Sequence, residues 1–271
     1  MWKSLLPVII MTKISEPTPR ELCLFLAEYA GRLLGCGATC IRIEKNVARM
    51  AHAFGREVEL TITPRHVHVS LVTPGHEELY TTIASARPSP VSFSVISDLS
   101  RLSWQVADGN AAFAEACASL TREESSRKHD ALWVLVLVSL ANASFCRLFG
   151  GDVMAMLVVC VATMAGYRLK QLLLGVRVDG RVVMMACAFV SSVLGATDGL
   201  FGLGSTPAVS IGTSILYLVP GVPYLNSFSD MLYRYYICAL SRLMDALVLT
   251  ACLTAGLCAG LLLMDEGMFE M

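Results

Sequence analysis

The sequence predicts a membrane protein, in which a small cytoplasmic α+β domain precedes an all-α transmembrane bundle of about five helices. The mean hydropathy is +0.61, and only 16% of the 271 residues are charged, whereas soluble domains carry charge on about a quarter. Residues 1–130 hold 14 of the 21 Lys and Arg and 14 of the 22 Asp and Glu. We therefore predict a flexible N-terminal extension over residues 1–18, the cytoplasmic domain over 19–130 and the transmembrane domain over 131–271.

Two periodicities define the soluble domain. Apolar side chains recur at helical spacing from Pro19 to Gly35 and again from Thr39 to Phe54. Apolar and polar residues then alternate, which predicts a β-hairpin and two further short strands; the four strands cover 57–63, 66–71, 78–84 and 91–96. A helix capped by Ser97 or Asp98 and another over 110–125 follow. This order of elements is typical of a small α+β domain.

Five apolar stretches near the 17–25 residues that cross a bilayer follow at 131–149, 153–170, 182–200, 207–222 and 243–264. The fourth is the weakest, because it runs into Pro220 and Pro223. Nine basic residues lie on one side of the predicted spans: Arg122, Arg127, Lys128, Arg168, Lys170, Arg177, Arg181, Arg234 and Arg242. The loops of the other side hold only Arg147. The positive-inside rule therefore places the N-terminal domain in the cytoplasm and the C-terminus outside, as an odd number of spans requires.

Several classes of function find no support in the residues. The net charge is −1 and neither half of the chain is strongly basic or acidic, which gives no support for a nucleic-acid partner. The ten cysteines include no CxxC pair and are interpreted as reduced, small apolar residues. His66 and His68 share one face of a strand, but without a third ligand they are interpreted as surface histidines, so we predict no metal and no cofactor. With no G-x-S-x-G elbow and no P-loop, the chain is not expected to be an enzyme.

The most informative segment is Pro220-Gly221-Val222-Pro223, because two prolines around Gly-Val interrupt a regular helix. An interrupted helix at membrane depth persists only where it is buried in protein or lines a wet cavity, and transporters bind ions and substrates at such breaks. Asn226 and Asp230 would share a face if a helix restarts there. The alternative is that the segment is the interfacial end of the fourth span, with Asn226 and Asp230 solvated.

Other polar residues of the second half are weaker candidates. Asp245, just inside the last span, is costly unless it is paired or wet, and Arg242 is its candidate partner, in a functional or a purely structural ion pair. Asp198 is expected to be an exposed loop acid. A further set recurs near helical spacing and is expected to form helix–helix hydrogen bonds, or for a minority to line a hydrophilic path: Ser139, Asn142, Ser144, Ser210, Thr213, Ser214 and Tyr217.

These segments resemble the threonine/serine exporter family over about residues 20–265. The resemblance is carried by Leu-Val-Pro-Gly-Val-Pro-Tyr-Leu-Asn-Ser-Phe-Ser-Asp at 218–230, by Leu-Ser-Arg-Leu-Met-Asp-Ala at 240–246, and by Ala-Gly-Arg-Leu-Leu at 30–34 with Gly37-Ala38 and Arg42-Ile43-Glu44. Two departures stand out. The family often has Glu-Thr where this chain has Thr39-Cys40, and small residues where it has Arg234-Tyr235-Tyr236.

The resemblance implies a secondary exporter of small carboxylate metabolites in a bacterial inner membrane. Some family members are single long chains that export threonine and serine, and others are split into two subunits associated with succinate export. This chain resembles the longer half, so a separate all-membrane partner subunit and an oligomer are implied.

In the leading hypothesis, export is driven by an ion gradient, with protons as the expected ion. The substrate carboxylate binds at the helix restarted after Pro223, where N–H groups and the helix dipole favour an anion. Asn226 adds a hydrogen bond, Arg242 or Arg234 a counter-charge, and Asp230 or Asp245 carries the proton. The candidate translocation residues are therefore Pro220, Gly221, Pro223, Asn226, Asp230, Arg242 and Asp245.

Two other hypotheses remain open. The chain is alternatively a regulatory or assembly subunit of a membrane complex, without a transport path of its own. A membrane hydrolase with a soluble catalytic domain is the third, and the missing nucleophile elbow and metal spacing weigh against it.

Overall fold

The structure is a computed structural model that describes residues 17–72, 78–87, 89, 91–122 and 130–266. The predicted extension over residues 1–18 lies almost wholly outside the described residues. The chain divides into two compact units, one comprising residues 1–126 with 222–243 and the other residues 127–221 with 244–271. The segment that follows Gly221 is therefore part of the same unit as the N-terminal residues.

Two helices open the first unit, as predicted. Helix α1 (Pro19–Gly35) begins with a capping box, in which the Glu21 N–H donates to Thr18 Oγ1 and the Thr18 N–H donates to the Glu21 carboxylate. Helix α2 (Cys40–Ala53) follows after a turn at Gly37, whose φ of +84° suits glycine. The apolar stripes of both helices are buried in one core.

The strands form one antiparallel sheet in the order β1-β2-β3. Its members are β1 (Glu57–Ile62), β2 (His66–Val72) and β3 (Glu78–Ser85). The predicted hairpin and the predicted strand over 78–84 are confirmed. Alternate residues of β2, namely Val67, Val69 and Leu71, are completely buried, as expected for a sheet with one face on the core.

The predicted strand over 91–96 is wrong, because this segment begins helix α3 (Phe93–Ala107). The Ser92 hydroxyl accepts from the Val95 N–H, so the helix starts several residues before the predicted caps Ser97 and Asp98. Ile96, Leu99 and Val106 then face the core at helical spacing. Helix α4 (Phe113–Arg122) is shorter than predicted, and residues 123–125 of that prediction lie outside the described residues.

The second unit is helical throughout its described residues. It contains α5 (Ala131–Leu148), α6 (Val153–Gly175), α7 (Gly180–Leu200), α8 (Pro207–Ser214) and the 3₁₀ turn Leu216–Leu218. After the break at Val219-Pro220, α9 (Gly221–Leu232) runs to a turn at Arg234, and α10 (Tyr236–Glu266) completes the described chain. The predicted interruption of the helix before Pro223 is confirmed, with Pro223 in the first turn of the new helix, where its missing N–H is tolerated.

Four of the described helices are long and apolar enough to cross a membrane, namely α5, α6, α7 and α10 up to Met264. A fifth crossing results if Pro207–Leu218 and Gly221–Leu232, a bent pair, are one broken span. Their outer surfaces carry large apolar side chains such as Leu132, Trp133 and Leu157, each more than half exposed. Such a surface suits hydrocarbon rather than water, and the chain is a largely helical membrane protein with a small N-terminal sheet.

Candidate functional site

The motif residues after the helix break converge on the loop that precedes α2. The Asp230 side chain is completely buried, and its Oδ1 accepts a 2.8 Å hydrogen bond from the Cys40 N–H. Arg242 Nη1 lies 3.1 Å from Asp230 Oδ2. Arg242 Nη2 also donates to the Ala38 carbonyl at 2.6 Å. We name this group of Ala38, Cys40, Asp230 and Arg242 the motif cluster.

Asn226 joins the same loop. Its amide nitrogen donates to the Gly37 carbonyl at 2.8 Å, so Asn226 and Asp230, one helical turn apart on α9, both face residues 37–40. The alternative expectation that Asp230 is solvated is wrong, because its side chain has no exposed surface, while Asn226 is half-buried. The reason is that the apolar residues Tyr235 and Cys238 pack into the core of the first unit and hold this segment there. That the segment is the interfacial end of the fourth span stays a prediction.

The N-terminus of α2 lacks a side-chain cap from its own N-cap residue, which explains why an acid of the motif cluster binds there. Thr39 is the N-cap residue of α2, but its side chain caps no N–H, and the first turn of α2 contains no acidic residue. The Asp230 carboxylate fills that role from another part of the chain, where the helix dipole favours an anion. Arg242 supplies the opposite charge, so this buried acid is both hydrogen-bonded and paired.

Burial and this carboxylate also act on Cys40. A hydrogen bond with Cys238, burial and the neighbouring Asp230 charge raise the pKa of the Cys40 thiol far above its ordinary value. Cys40 is thus a neutral thiol, 3.4 Å from Asp230 Oδ2.

The remaining sequence candidates have different surroundings. Arg242 pairs with Asp230 rather than with Asp245, which lies on an exposed face of α10. Arg234 is exposed and adopts a left-handed backbone conformation with φ +67° at the turn before α10. Pro220 is buried, while Gly221 and Pro223 are half-buried at the start of α9. His66 is exposed and His68 half-buried, and the described residues contain no group of three potential metal ligands.

The second unit contains a separate set of buried polar contacts between its helices. Asn142 Nδ2 donates to Thr163 Oγ1 at 2.6 Å and to the Thr213 carbonyl at 2.9 Å. Ser191 and Tyr217 share a 2.9 Å hydrogen bond, and Ser210 donates to the Gly195 carbonyl. Asn142, Ser210 and Tyr217 thus form the predicted helix–helix hydrogen bonds. Four other hydroxyls bond carbonyls of their own helix: Ser139, Ser144, Thr213 and Ser214.

The expectation that Asp198 is an exposed loop acid is wrong. Helix α7 continues to Leu200, and the Asp198 side chain has no exposed surface. The following loop folds back over it, because the Leu203 N–H donates to the Asp198 carbonyl at 3.0 Å and Gly204 lies directly against the carboxylate. The sequence showed Asp198 beside a glycine-rich turn, but not that the turn covers it.

An open basic cleft on the first unit was not predicted. It has a volume of about 460 Å³ and is lined in part by Lys45, Arg49 and His52, which recur along one face of α2. The Arg49 guanidinium stacks 3.8 Å from the centre of the Trp104 ring and donates to Ser103 Oγ at 2.6 Å. The spacing of the three basic residues was the available signal, but charged helix faces are usually only solvated.

Four apolar helices of spanning length and a bent helix pair define the class, which is a membrane protein. The sequence model of the family described as "Putative threonine/serine exporter" matches residues 24–264. The chain belongs to this family.

Three relatives support that assignment. The chain is 24% identical over 241 residues to "Probable succinate transporter subunit YjjP" of Klebsiella aerogenes, covering 88% of this chain and 91% of the relative. The protein of the same name from Escherichia coli is 27% identical over 124 residues, covering 45% of this chain and 48% of the relative. "Probable threonine/serine exporter" of Mycobacterium tuberculosis is 24% identical over 222 residues, covering 81% of this chain and 41% of the relative. No solved structure matches the chain.

Proposed function

We propose that this chain is one subunit of a secondary exporter of small carboxylate metabolites, driven by the proton gradient and working with a separate membrane subunit. The observation that carries the proposal is the match over 91% of the length of a relative named as a succinate transporter subunit. Succinate, threonine and serine are therefore the substrates to test first. In the proposed orientation the N-terminal domain is cytoplasmic and the C-terminus lies outside the bacterial inner membrane.

The broken helix supports a transport path. A break at Val219-Pro220 frees backbone groups that a continuous helix would pair, and such groups survive in a membrane only next to protein or water. We propose that the substrate carboxylate binds near the start of α9, with Asn226 and Arg242 as its partners and Pro220, Gly221 and Pro223 maintaining the break. In the described structure, Asn226 and Arg242 are engaged by residues 37 and 38. Binding would therefore require the substrate to replace these contacts.

Asp230 or Asp245 carries the proton in this scheme. The two acids have different surroundings, because Asp230 is buried and paired with Arg242 whereas Asp245 is exposed on α10. Asp230→Asn and Asp245→Asn variants should each be tested for gradient-driven export. Full export by both variants would eliminate both acids as proton carriers.

The export assay compares bacterial cells that carry both subunit genes, either gene alone or neither. We expect external succinate, threonine or serine to rise only when both are present, with a rise that collapses when the proton gradient is dissipated. An unchanged external metabolite profile would contradict the proposal, and a rise insensitive to the gradient would contradict proton coupling.

A regulatory or assembly subunit is the second candidate, favoured by the motif cluster itself. Asn226, Asp230 and Arg242 all bind residues 37–40 of their own compact unit, so the motif also stabilises that unit. The partner subunit alone separates the two functions. Transport by the partner at the full rate would make this chain regulatory, and transport only by the pair would make it part of the path.

A further inference from the structure

A second acidic site lies within the second unit, at the end of the bundle where α5 joins α6 and α7 joins α8. Asp198, in the last turn of α7, has no exposed surface. Neither of its carboxylate oxygens has a hydrogen-bond partner of normal geometry, although the Gly204 N–H faces it. Leaving a buried carboxylate charged and unpartnered costs several kcal/mol or more, so a charged Asp198 is unfavourable in these surroundings.

The neighbouring acid is Asp152, the N-cap residue of α6. One oxygen accepts from the Ala155 N–H at 2.7 Å, and the other accepts from the Ser205 N–H at 2.6 Å and from the Ser205 hydroxyl at 3.0 Å. These donors, first that of Ala155, hold the pKa of the Asp152 carboxyl below its usual range. Asp152 is therefore the charged member of the pair.

Gly204 brings the two carboxyl groups together. A Cβ at this position would lie 2.8 Å from each Asp152 oxygen and 2.8 Å from Asp198 Oδ1. Only a residue without a side chain fits, and the three oxygens converge on the same point. A charged acid and an unpartnered buried acid therefore face each other with no side chain between them.

The groups around Asp198 favour a proton as the ligand of its carboxylate. The loop between α5 and α6 supplies Arg147 and Asp152 at this end, and the Arg147 guanidinium donates to the Gly151 carbonyl at 3.1 Å. The loop over residues 201–206 and the start of α8 at Pro207 add no ionisable side chain. Helix α10 packs on α7 through Gly256 and Gly260 and carries Asp265 and Glu266 in its last turn. A metal ion would require more protein ligands, and no group of three is present in the described chain.

We propose that Asp152 and Asp198 form a proton-binding site, in which Asp198 holds the proton and Asp152 accepts its hydrogen bond. A carboxyl group that faces a charged carboxylate favours its protonated form, because a second negative charge beside the first is unfavourable. This pair is then the entry site for the proton that drives export, an assignment that rests on the proposed function. In the proposed orientation it lies at the external end of the bundle, where an inward proton gradient delivers its ion. Release of the proton towards the interior leaves Asp198 charged and resets the site.

Infrared spectroscopy of the purified full chain tests the proton site without any transport. At neutral pH, we expect a carbonyl band of a protonated carboxylic acid in the wild type that is lost in Asp198→Asn. Asp198→Glu should restore such a band, and Asp152→Asn should keep it. Asp179→Asn is the matched control, because Asp179 is the exposed N-cap at the other end of α7 and asparagine caps equally well. A band that persists in Asp198→Asn, or that is lost only in Asp152→Asn, would overturn the assignment.

Transport by the two-subunit complex in liposomes tests the coupling. With labelled succinate as the probe, Asp198→Asn should lose proton-driven transport but retain the exchange of internal for external succinate, which needs no net proton movement. Unchanged proton-driven transport in this variant would refute the entry site. If Asp198→Asn loses both modes, Asp198→Glu is tested next. Failure of Asp198→Glu to restore proton-driven transport would also refute the entry site. A wild-type complex that moves neither succinate, threonine nor serine would refute the proposed function, while the infrared result would still decide whether the pair binds a proton.

Discussion

At the scale of single residues, the motif cluster joins two parts of the chain that are 190 residues apart. The Cys40 N–H and the Arg242 guanidinium both bind one buried carboxylate, so removing any member leaves an unsatisfied charge or donor. The i,i+4 spacing of Asn226 and Asp230 predicted that they share a face of a restarted helix. It did not reveal the partner, because spacing reports geometry within an element and not the distant loop that it contacts.

We predict that Asp230→Asn destabilises the protein by about 3 kcal/mol, because it leaves the Arg242 charge mostly buried without its partner. A lower unfolding midpoint of the detergent-solubilised full chain would show this. Combining the change with Arg242→Met should cost less than the sum of the single changes, since the unpaired charge is then absent. Asp108→Asn is the control, because Asp108 is exposed. Equal midpoints for Asp230→Asn and the wild type would show that the ion pair contributes nothing.

The buried thiols of the first unit should resist alkylation. Burial, together with the Glu21 charge, raises the pKa of Cys117 to about 12, and the pKa of Cys40 is raised as well. At about pH 8.5, where an ordinary thiol is half ionised, we expect slow reaction of both with iodoacetamide and faster reaction of the half-buried Cys36. Mass spectrometry of the folded protein measures this, with the denatured protein as control. Equal labelling of all three cysteines in the folded state would contradict the prediction.

At the scale of elements, hydropathy located the spans because membrane helices must be apolar over a fixed length. Hydropathy did not locate the contacts between the helices. These contacts depend on small residues such as glycine, and a glycine at a helix contact has the same hydropathy as one that faces open space. Gly166 of α6, for example, leaves space for the Ser191 and Tyr217 hydroxyls, whereas Gly212 of α8 faces open space. Likewise, the alternation of apolar and polar residues over 91–96 predicted a strand, but the Ser92 cap starts a helix there instead.

We predict that Gly166→Ala destabilises the second unit by about 1–3 kcal/mol, because the added methyl group would overlap the Tyr217 and Ser191 oxygens. Gly212→Ala is the matched control, which should be neutral or stabilise by up to about 1 kcal/mol through helix propensity. Thermal unfolding in detergent compares the two variants. Equal stability of both would indicate that the Ser191–Tyr217 contact adjusts without cost.

At the scale of the whole molecule, the sequence predicted the order of soluble and membrane segments, because charge density and apolar length are summed over many residues. It did not predict that residues 222–243 belong to the same compact unit as residues 1–126. That assignment depends on a few buried side chains, such as Cys238 in the first core, and not on composition. Single buried acids were missed for the same reason, since Asp198 differs from an exposed acid only in the loop that covers it.

The number of crossings is open to a direct test, because its parity fixes the side of the C-terminus. Pro207–Leu218 alone is only about 18 Å long, from the rise per residue of its α and 3₁₀ turns. It is therefore too short for a hydrocarbon core of about 30 Å unless part of α9 or a thinned bilayer completes the span. Nine basic residues against one nevertheless favour five crossings with the C-terminus outside. We expect a reporter enzyme that is active only outside the membrane to be active when it is fused after α10. The same reporter inserted between α6 and α7 at Arg177 should be inactive, because that position is cytoplasmic. A cytoplasmic reporter after α10 would make the broken pair a re-entrant segment and leave four crossings.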